Sequence, residues 1–430
     1  MATAAPRSVF PATPAPPSPA SWGGLGRGFD PRMLRCEFPI FANNPDLVFL
    51  DSGASAQKPR AVIDRIADYY RTDYANVHRG VYRLSARSTE LFEEAREKVR
   101  RFLNAADPRE IVFVRNTTEA INLVAQSWGP AFLEPGDEVL ISVLEHHSNI
   151  VPWQLLRDRL GIRLVVAPLD ATGGLDLAGF EARLSPRTRL VAITHVANAT
   201  GAVVPVETIV QLAHRRGAKV LIDGSQAAPR LPVDVQALGC DFYVFSGHKA
   251  YGPTGTGILY GRYDALQSMP PWQTGGGMIT SVEYAKTEFQ DPPHRFEAGT
   301  PDIAGAVGLG LALDFVESIG RETIAEHEQA LTGYAVDQLS RIPDVQIAPG
   351  GQHQLSIVSF NIDGVHPHDV GTVLDQHGVA VRVGHHCAQP LMEKLGIAGT
   401  VRASLGVYND EADIDRLARA VEACREMFVR

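Results

Sequence analysis

The sequence predicts an α/β fold, with a large domain on a mainly parallel sheet followed by a smaller α+β C-terminal domain. Three observations predict it. Short runs solid with Val, Ile and Leu recur between Ile111 and Phe245, separated by amphipathic stretches. Strands apolar on both faces, each followed by a helix, belong to a parallel sheet covered on both sides. After about Ala304 the pattern changes to long helices with a few shorter strands. The chain has 430 residues, more than one typical domain, so one large and one smaller unit is the natural division.

From Ser88 to Asn104, Leu91, Phe92, Ala95, Val99, Phe102 and Leu103 recur at helical spacing with Glu and Arg opposite. Strands are expected at Ile111–Val114, Val139–Ser142, Leu164–Val166, Leu190–Thr194, Val220–Ile222 and Phe242–Phe245. Helices are expected from Thr117 or Thr118 and near Ile150–Leu160. The second domain should hold strands at Ile357–Asn361 and Ala380–Val383. The expected division is 1–30 as a disordered Ala/Pro-rich extension, 31–49 as a segment joining the small domain, 50–303 as the large domain and 304–430 as the small one. The head has almost no large apolar residues and cannot bury enough surface to offset its chain entropy. A transit peptide is its other reading, weakened by few Ser and Arg and no amphipathic face.

Hydrophobic content of 45% and charged content of 21% are globular values. A net charge of −9 without a basic cluster argues against nucleic-acid binding, and no apolar run is long enough to span a bilayer. Cys36, Cys240, Cys387 and Cys424 are scattered, with no C-x-x-C spacing for a metal. A chain of this size needs no disulfide staples, so a reducing cytoplasm is expected. Each cysteine is then a buried small hydrophobe or a reactive thiol.

In open α/β sheets ligands bind beyond the carboxyl ends of the strands, and five polar clusters fall there. An apolar strand runs into Ser246, Gly247, His248 and Lys249, then into a glycine-rich loop. Most lysines are solvated, but desolvation at a buried strand end makes an amine a Schiff-base nucleophile. Asp223 ends another apolar strand, before Gln226; alone it reads equally as a helix cap, and beside such a lysine as the partner of a pyridinium nitrogen. Asn116-Thr117-Thr118-Glu119 caps a helix and, by the same geometry, offers free N–H groups to an anion. Within Glu145-His146-His147-Ser148-Asn149, His146 is either a hydrogen-bonded loop residue or an imidazole lying flat on an aromatic cofactor; adjacent histidines rarely share one metal. Cys387 follows a strand in a Gly- and His-rich turn near Arg382, surroundings that expose a thiolate, although a buried cysteine is the commoner case. Arg402 is a surface ion-pair member or a clamp for a carboxylate.

Together these clusters resemble the fold-type I pyridoxal-phosphate enzymes of the class V aminotransferase family, and more narrowly the SufS-type cysteine desulfurases and related selenocysteine lyases. The likeness runs from Phe38 to the C-terminus. It is most specific at Tyr74–Gly80, Glu145–Gln154, Ser246–Lys249, Arg295–Pro301 and Arg382–Ala388. The resemblance implies that Lys249 carries pyridoxal 5′-phosphate, Asp223 pairs with its ring nitrogen, Gln226 bonds its ring oxygen and His146 stacks on the ring. It implies that Thr117, Thr118, Ser246 and His248 hold the phosphate, joined by Thr300 from the other subunit of a homodimer. Asn198 and Arg402 would hold the carboxylate of L-cysteine, with Arg382 and His78 lining the pocket. Cys387 would take the sulfur as a persulfide for iron–sulfur cluster assembly and pass it to an acceptor of SufE or SufU type. Ser225, where Ala or Cys is common, and the Ala/Pro-rich head depart from the pattern. The rival readings are selenocysteine lyase, which does not need Cys387; another class V aminotransferase or lyase, which would have no use for Cys387; and a catalytically silent binding partner, which would need none of Lys249, Asp223 and Cys387.

Overall fold

A computed structural model describes residues 29–428. The expected disordered extension lies almost wholly outside the described residues. The large sheet has seven strands: β1 (Ile111–Val114), β2 (Glu138–Ser142), β3 (Arg163–Ala167), β4 (Thr188–Thr194), β5 (Lys219–Asp223), β6 (Phe242–Ser246) and β7 (Gly257–Gly261). Their order across the sheet is β1-β7-β6-β5-β4-β2-β3. Strands β2, β5, β6 and β7 are almost wholly buried, as a sheet covered on both faces requires.

Each expected strand of the first domain forms, one residue longer at one end or both in most cases. Strand β7 was not expected. It runs antiparallel between β1 and β6, and its flanking glycines read as loop in the sequence. A loop over 247–256, opened by the 3-10 turn Gly247–Lys249, joins it to β6 where the other strands use α-helices. Gly257 fits because a Cβ there would lie 2.6 Å from the Cα of Asn116, so β7 closes directly under the start of the helix Thr117–Phe132.

Register sets the site. Thr194 pairs with Asp223, and Asp223 with Val244. Strands β4 and β5 therefore end level, and β6 runs two residues further at the same edge.

The second sheet is antiparallel, with β8 (Val345–Ile347), β9 (Ile357–Ile362), β10 (Arg382–Gly384) and β11 (Thr400–Ser404) in the order β8-β9-β11-β10. The helices Arg321–Ser340, Pro367–Gln376 and Glu411–Phe428 pack Leu331, Leu374 and Leu417 against its core. The single strand expected over Ala380–Val383 is split. Val379–Ala380 pairs with Val48–Phe49, and Arg382–Gly384 turns to pair with β11. Exchanging one partner for another across Val381 breaks the run.

The helix Ile303–Ile319, expected to open the second domain, packs on the helices Arg60–Asp68 and Arg83–Phe102 of the first. It is apolar nearly all round and buried along its length, as a helix enclosed on every side must be. In the segment 31–49, Val48–Phe49 pairs parallel with Val379–Ala380. Phe38 of the same segment packs on Phe315 of the first unit and on Tyr408, with ring centroids 5.7 and 4.8 Å away.

One buried ion pair ties the sheets together. Arg230 donates to Glu328 (2.9 Å), to the backbone and side chain of Gln226, and to the carbonyl of Leu405; Ser356 donates to the same carboxylate. Removing one member strands the other in a dry interior. Arg230→Ala is therefore expected to lower stability by about 3–5 kcal/mol, read as a lowered midpoint in urea unfolding; an unchanged midpoint would show the pair to be dispensable.

Candidate active site

A cavity of about 480 Å³ opens at the carboxyl edge of the large sheet and is roofed by residues of the second. The sheet contributes Asn116, Thr117 and Thr118 after β1, His146 and Ser148 after β2, Asn198 after β4, Asp223 and Gln226 at the end of β5, and Ser246, His248 and Lys249 at the end of β6. The roof contributes Arg382, His386, Cys387 and Arg402. These residues come from seven separated stretches of the chain.

At one end lies a cluster of hydroxyls. Thr117 Oγ1 is 2.7 Å from Ser225 Oγ and 2.9 Å from Ser246 Oγ, and Thr118 Oγ1 is 2.6 Å from Ser148 Oγ. Asn116 caps the helix Thr117–Phe132 by accepting from the Glu119 N–H. Hydroxyls at a helix N-terminus suit a phosphate, since each can turn its proton outward and the helix dipole favours negative charge. Ser225, the departure from the family pattern, belongs to this cluster.

Asp223 is buried at the floor and accepts from the Ser225 N–H at 2.9 Å. No hydrogen bond from Lys249 Nζ to a described residue forms. Burial pushes the Lys249 ammonium down to about 8, partly offset by Asp223. Burial and the Lys249 charge push His146 down to about 4, and burial does the same to His248. Both imidazoles are therefore neutral at pH 7. His146 Nδ1 accepts from the Ser148 N–H at 3.0 Å, which fixes how the ring stands. Gln226 donates to Gly53 O at 2.7 Å, and its side-chain oxygen accepts from Arg230. Its amide is thus oriented from behind.

The roof is organised by a residue the sequence reading missed. Asp51 accepts from Arg382 Nε and Nη2 (3.1 and 2.8 Å) and from Arg402 Nη2 (3.3 Å). The available signal was an apolar run, Leu47–Leu50, ending abruptly on an acid. Burial pulls Arg402 down to about 10 against the pull of Asp51, and its Nε is buried without a partner. That free donor suits a ligand carboxylate. Asn198 Nδ2 donates one proton to His386 O at 2.6 Å, which leaves the second amide proton free, and its Oδ1 is buried and unpartnered.

Glu145, whose motif was singled out without a role for the acid itself, is buried under this end of the sheet. Burial raises it to about 7, and it accepts from Ser142, Asn149 and the Thr194 N–H.

Two expected residues lie elsewhere. The His78 ring packs near His294 and Phe92. Thr300 lines a separate cavity with Trp272 and Gln273. Neither is among the residues lining the main cavity of this chain.

The cysteines separate cleanly. Cys240 and Cys424 are buried and Cys36 is exposed outside the cavity lining, whereas Cys387 is exposed within it. Both His386 and Cys387 take a left-handed backbone, with φ of 53° and 56°.

The family described as Aminotransferase class-V matches residues 48–417. The chain is 51% identical over 401 residues to the probable cysteine desulfurase 1 of Mycobacterium leprae, covering 93% of this chain and 66% of that protein. It thus spans just under two thirds of that relative's length. Against the cysteine desulfurase of Dickeya dadantii it is 52% identical over 399 residues, covering 92% of this chain and 97% of the other. The crystal structure of the cysteine desulfurase CsdA from Escherichia coli superposes with a TM-score of 0.88 at 40% identity, over 94% of this chain and 100% of that one.

The depressed Lys249 ammonium has a direct test. In the chain freed of bound ligand, acylation of Lys249 is expected to titrate near pH 8, against about 10.4 for solvated lysines. A midpoint above 10, read by mass spectrometry of the labelled peptide, would remove desolvation from the account of this site.

Proposed function

The chain belongs to the class-V aminotransferase family, and on that premise we propose that it is a pyridoxal-phosphate-dependent cysteine desulfurase of the SufS type, converting L-cysteine to L-alanine with the sulfur held on Cys387. The observation that carries this reading is the meeting of Lys249, Asp223 and exposed Cys387 in one cavity with the partly unpaired Arg402. The other class V chemistries have no use for a thiol at that place.

The donor set fits the cofactor. Thr117, Thr118, Ser246 and His248 would hold its phosphate, Asp223 its ring nitrogen, Gln226 its ring oxygen, His146 its face and Lys249 its aldehyde carbon. When bound, pyridoxal phosphate supplies an electron-withdrawing ring that stabilises negative charge on the substrate α-carbon.

The protein does the rest. The free Nε of Arg402 receives the substrate carboxylate. Lys249, with its ammonium depressed to about 8, holds a useful fraction of neutral amine at pH 7 to 8 and takes the α-proton at Nζ. Asp223 would pair with the ring nitrogen of the cofactor and favour its protonated form. The Cys387 thiolate attacks the substrate sulfur. An S–S bond forms as the C–S bond breaks, the electron pair stays with the β-carbon, and protonation of that carbon together with return of a proton to the α-carbon gives alanine. The terminal sulfur remains as a persulfide on Cys387 until another thiol removes it.

Two protomers are proposed to complete each site, since Thr300 and His78 lie outside the cavity of their own chain. The sulfur acceptor is proposed to be a small protein of SufE or SufU type, in service of iron–sulfur cluster assembly. Selenocysteine cleavage is the second reading, because a C–Se bond breaks with less help from Cys387.

Cys387→Ala is expected to retain the yellow cofactor and its spectral response to L-cysteine while losing persulfide and nearly all alanine release; L-selenocysteine should still be cleaved. Rapid alanine release from L-cysteine by this variant would exclude Cys387 as the nucleophile.

The acceptor is tested at Val365-His366-Pro367-His368-Asp369. His368 stands at the exposed start of the helix Pro367–Gln376, its ring parallel to that of His366. If a zinc-bearing SufU-type acceptor gives up a ligand position to His368, His368→Ala should lose stimulation by that acceptor and keep stimulation by a SufE-type one. Equal stimulation of both variants by both acceptors would take His368 out of sulfur transfer.

A further inference from the structure

The activity proposed above needs the Cys387 thiol held at the cavity on a loop whose backbone is unfavourable. Two consecutive non-glycine residues, His386 and Cys387, have φ of 53° and 56°, a region that side chains other than glycine avoid unless their surroundings impose it. Part of that constraint comes from within the roof. His386 Nε2 is 2.8 Å from Thr400 Oγ1. Part comes from the large sheet, where Asn198 donates to His386 O.

The remaining part is His147, which neither the sequence reading nor the mechanism uses. It lies in the turn after β2, beside His146. Its backbone N–H donates to Cys387 O at 2.7 Å. Its ring Nε2 accepts the N–H of Gln389 at 3.1 Å. One residue of the large domain therefore holds the loop at the cysteine and again two residues on. The second bond has a chemical condition: a ring nitrogen accepts a hydrogen bond only while it carries no proton.

We propose that His147 is the positioning residue that latches the Cys387 loop to the cofactor-binding domain, and that protonation of its ring opens the latch. The proposal rests on Cys387 being the sulfur-accepting nucleophile. The titratable groups facing His147 are His146 on its own turn, with ring centroids 6.3 Å apart, and His385 and Cys387 on the opposing loop. Burial and the nearby His385 hold His147 below the ordinary histidine value of about 6.5. The latch is closed at neutral pH and opens as pH falls through that lowered value. Because the ring of His146 faces the cavity and that of His147 faces the loop, one turn registers the thiol against the cofactor.

The test is amide hydrogen exchange at Gln389 in the cofactor-loaded full chain. It would be run from pH 8 to 5, corrected for intrinsic exchange rates, on wild type, His147→Ala and His147→Gln. Visible absorbance and alanine release from L-cysteine are measured alongside. Wild type is expected to protect the Gln389 amide at pH 8 and to lose that protection towards pH 5. His147→Ala should show about ten-fold less protection at pH 8 with no further loss on acidification. It should also show a lowered kcat at little-changed KM, with the cofactor absorbance intact. His147→Gln keeps an uncharged acceptor and should restore part of the protection without the pH dependence. Equal protection in wild type and His147→Ala, or wild-type protection that is flat from pH 8 to 5, overturns the latch. Should His147→Ala fail to fold, the wild-type pH profile and His147→Gln still decide. Failure of the functional reading would show separately, as undiminished alanine release by Cys387→Ala.

Discussion

Removal of water from the carboxyl edge of the large sheet is the constraint on which the site depends. Because β5 and β6 are buried on both faces, the residues that end them sit on a dry floor even though the cavity above is open. An amine there loses hydration it would keep on a surface, and its ammonium becomes correspondingly less favourable. The neutral imidazoles of His146 and His248 have the same origin. Four side chains with unusual protonation thus follow from one feature of the packing, the fourth being Glu145 beneath them. The apolar strands are part of the chemistry as well as of the fold.

The second sheet supplies what the first cannot. A parallel sheet presents strand ends on one side only, so its floor needs a roof from elsewhere in the chain. Strands β10 and β11 provide two arginines and the turn after β10 a thiol, and Asp51 pairs with both arginines from the N-terminal side. The buried pair of Arg230 and Glu328 holds the two sheets together behind the cavity and orients Gln226 at the same time. Structural and functional contacts therefore share residues. A substitution at Arg230 would disturb both domain packing and the floor of the site.

Much of this was legible in the sequence because the first domain obeys a simple rule. Continuous apolar runs give buried strands, and the polar residue that ends each run lands at the ligand edge. Lys249, Asp223 and Thr117 were found in this way. The rule failed where a strand departs from it. Strand β7 is short, glycine-flanked and antiparallel, and the run over Ala380–Val383 changes partner midway, so neither has a periodicity that local sequence reveals. Asp51 was missed although it ends an apolar run, because it lies outside the sheet whose strand ends were being read. The orientation of Asn198 was equally out of reach, since it depends on the carbonyl of His386, far away in the chain. His147 was legible as a motif member, but its role depends on a contact between domains, which no local pattern encodes.

Asp51 has a consequence for how the cavity meets charged molecules. Its carboxylate already balances much of the positive charge of Arg382 and Arg402, so the roof does not project an uncompensated cationic field. The unpartnered Nε of Arg402 is left over beside that carboxylate, so an anion entering there adds a hydrogen bond more than it neutralises charge. A site so balanced has little long-range field for salt to screen, which makes capture weakly sensitive to ionic strength. It also gives a simple inorganic anion little beyond the arginines, whereas a larger ligand can engage the floor as well. Discrimination among anions is then a property of the charge balance inside the site.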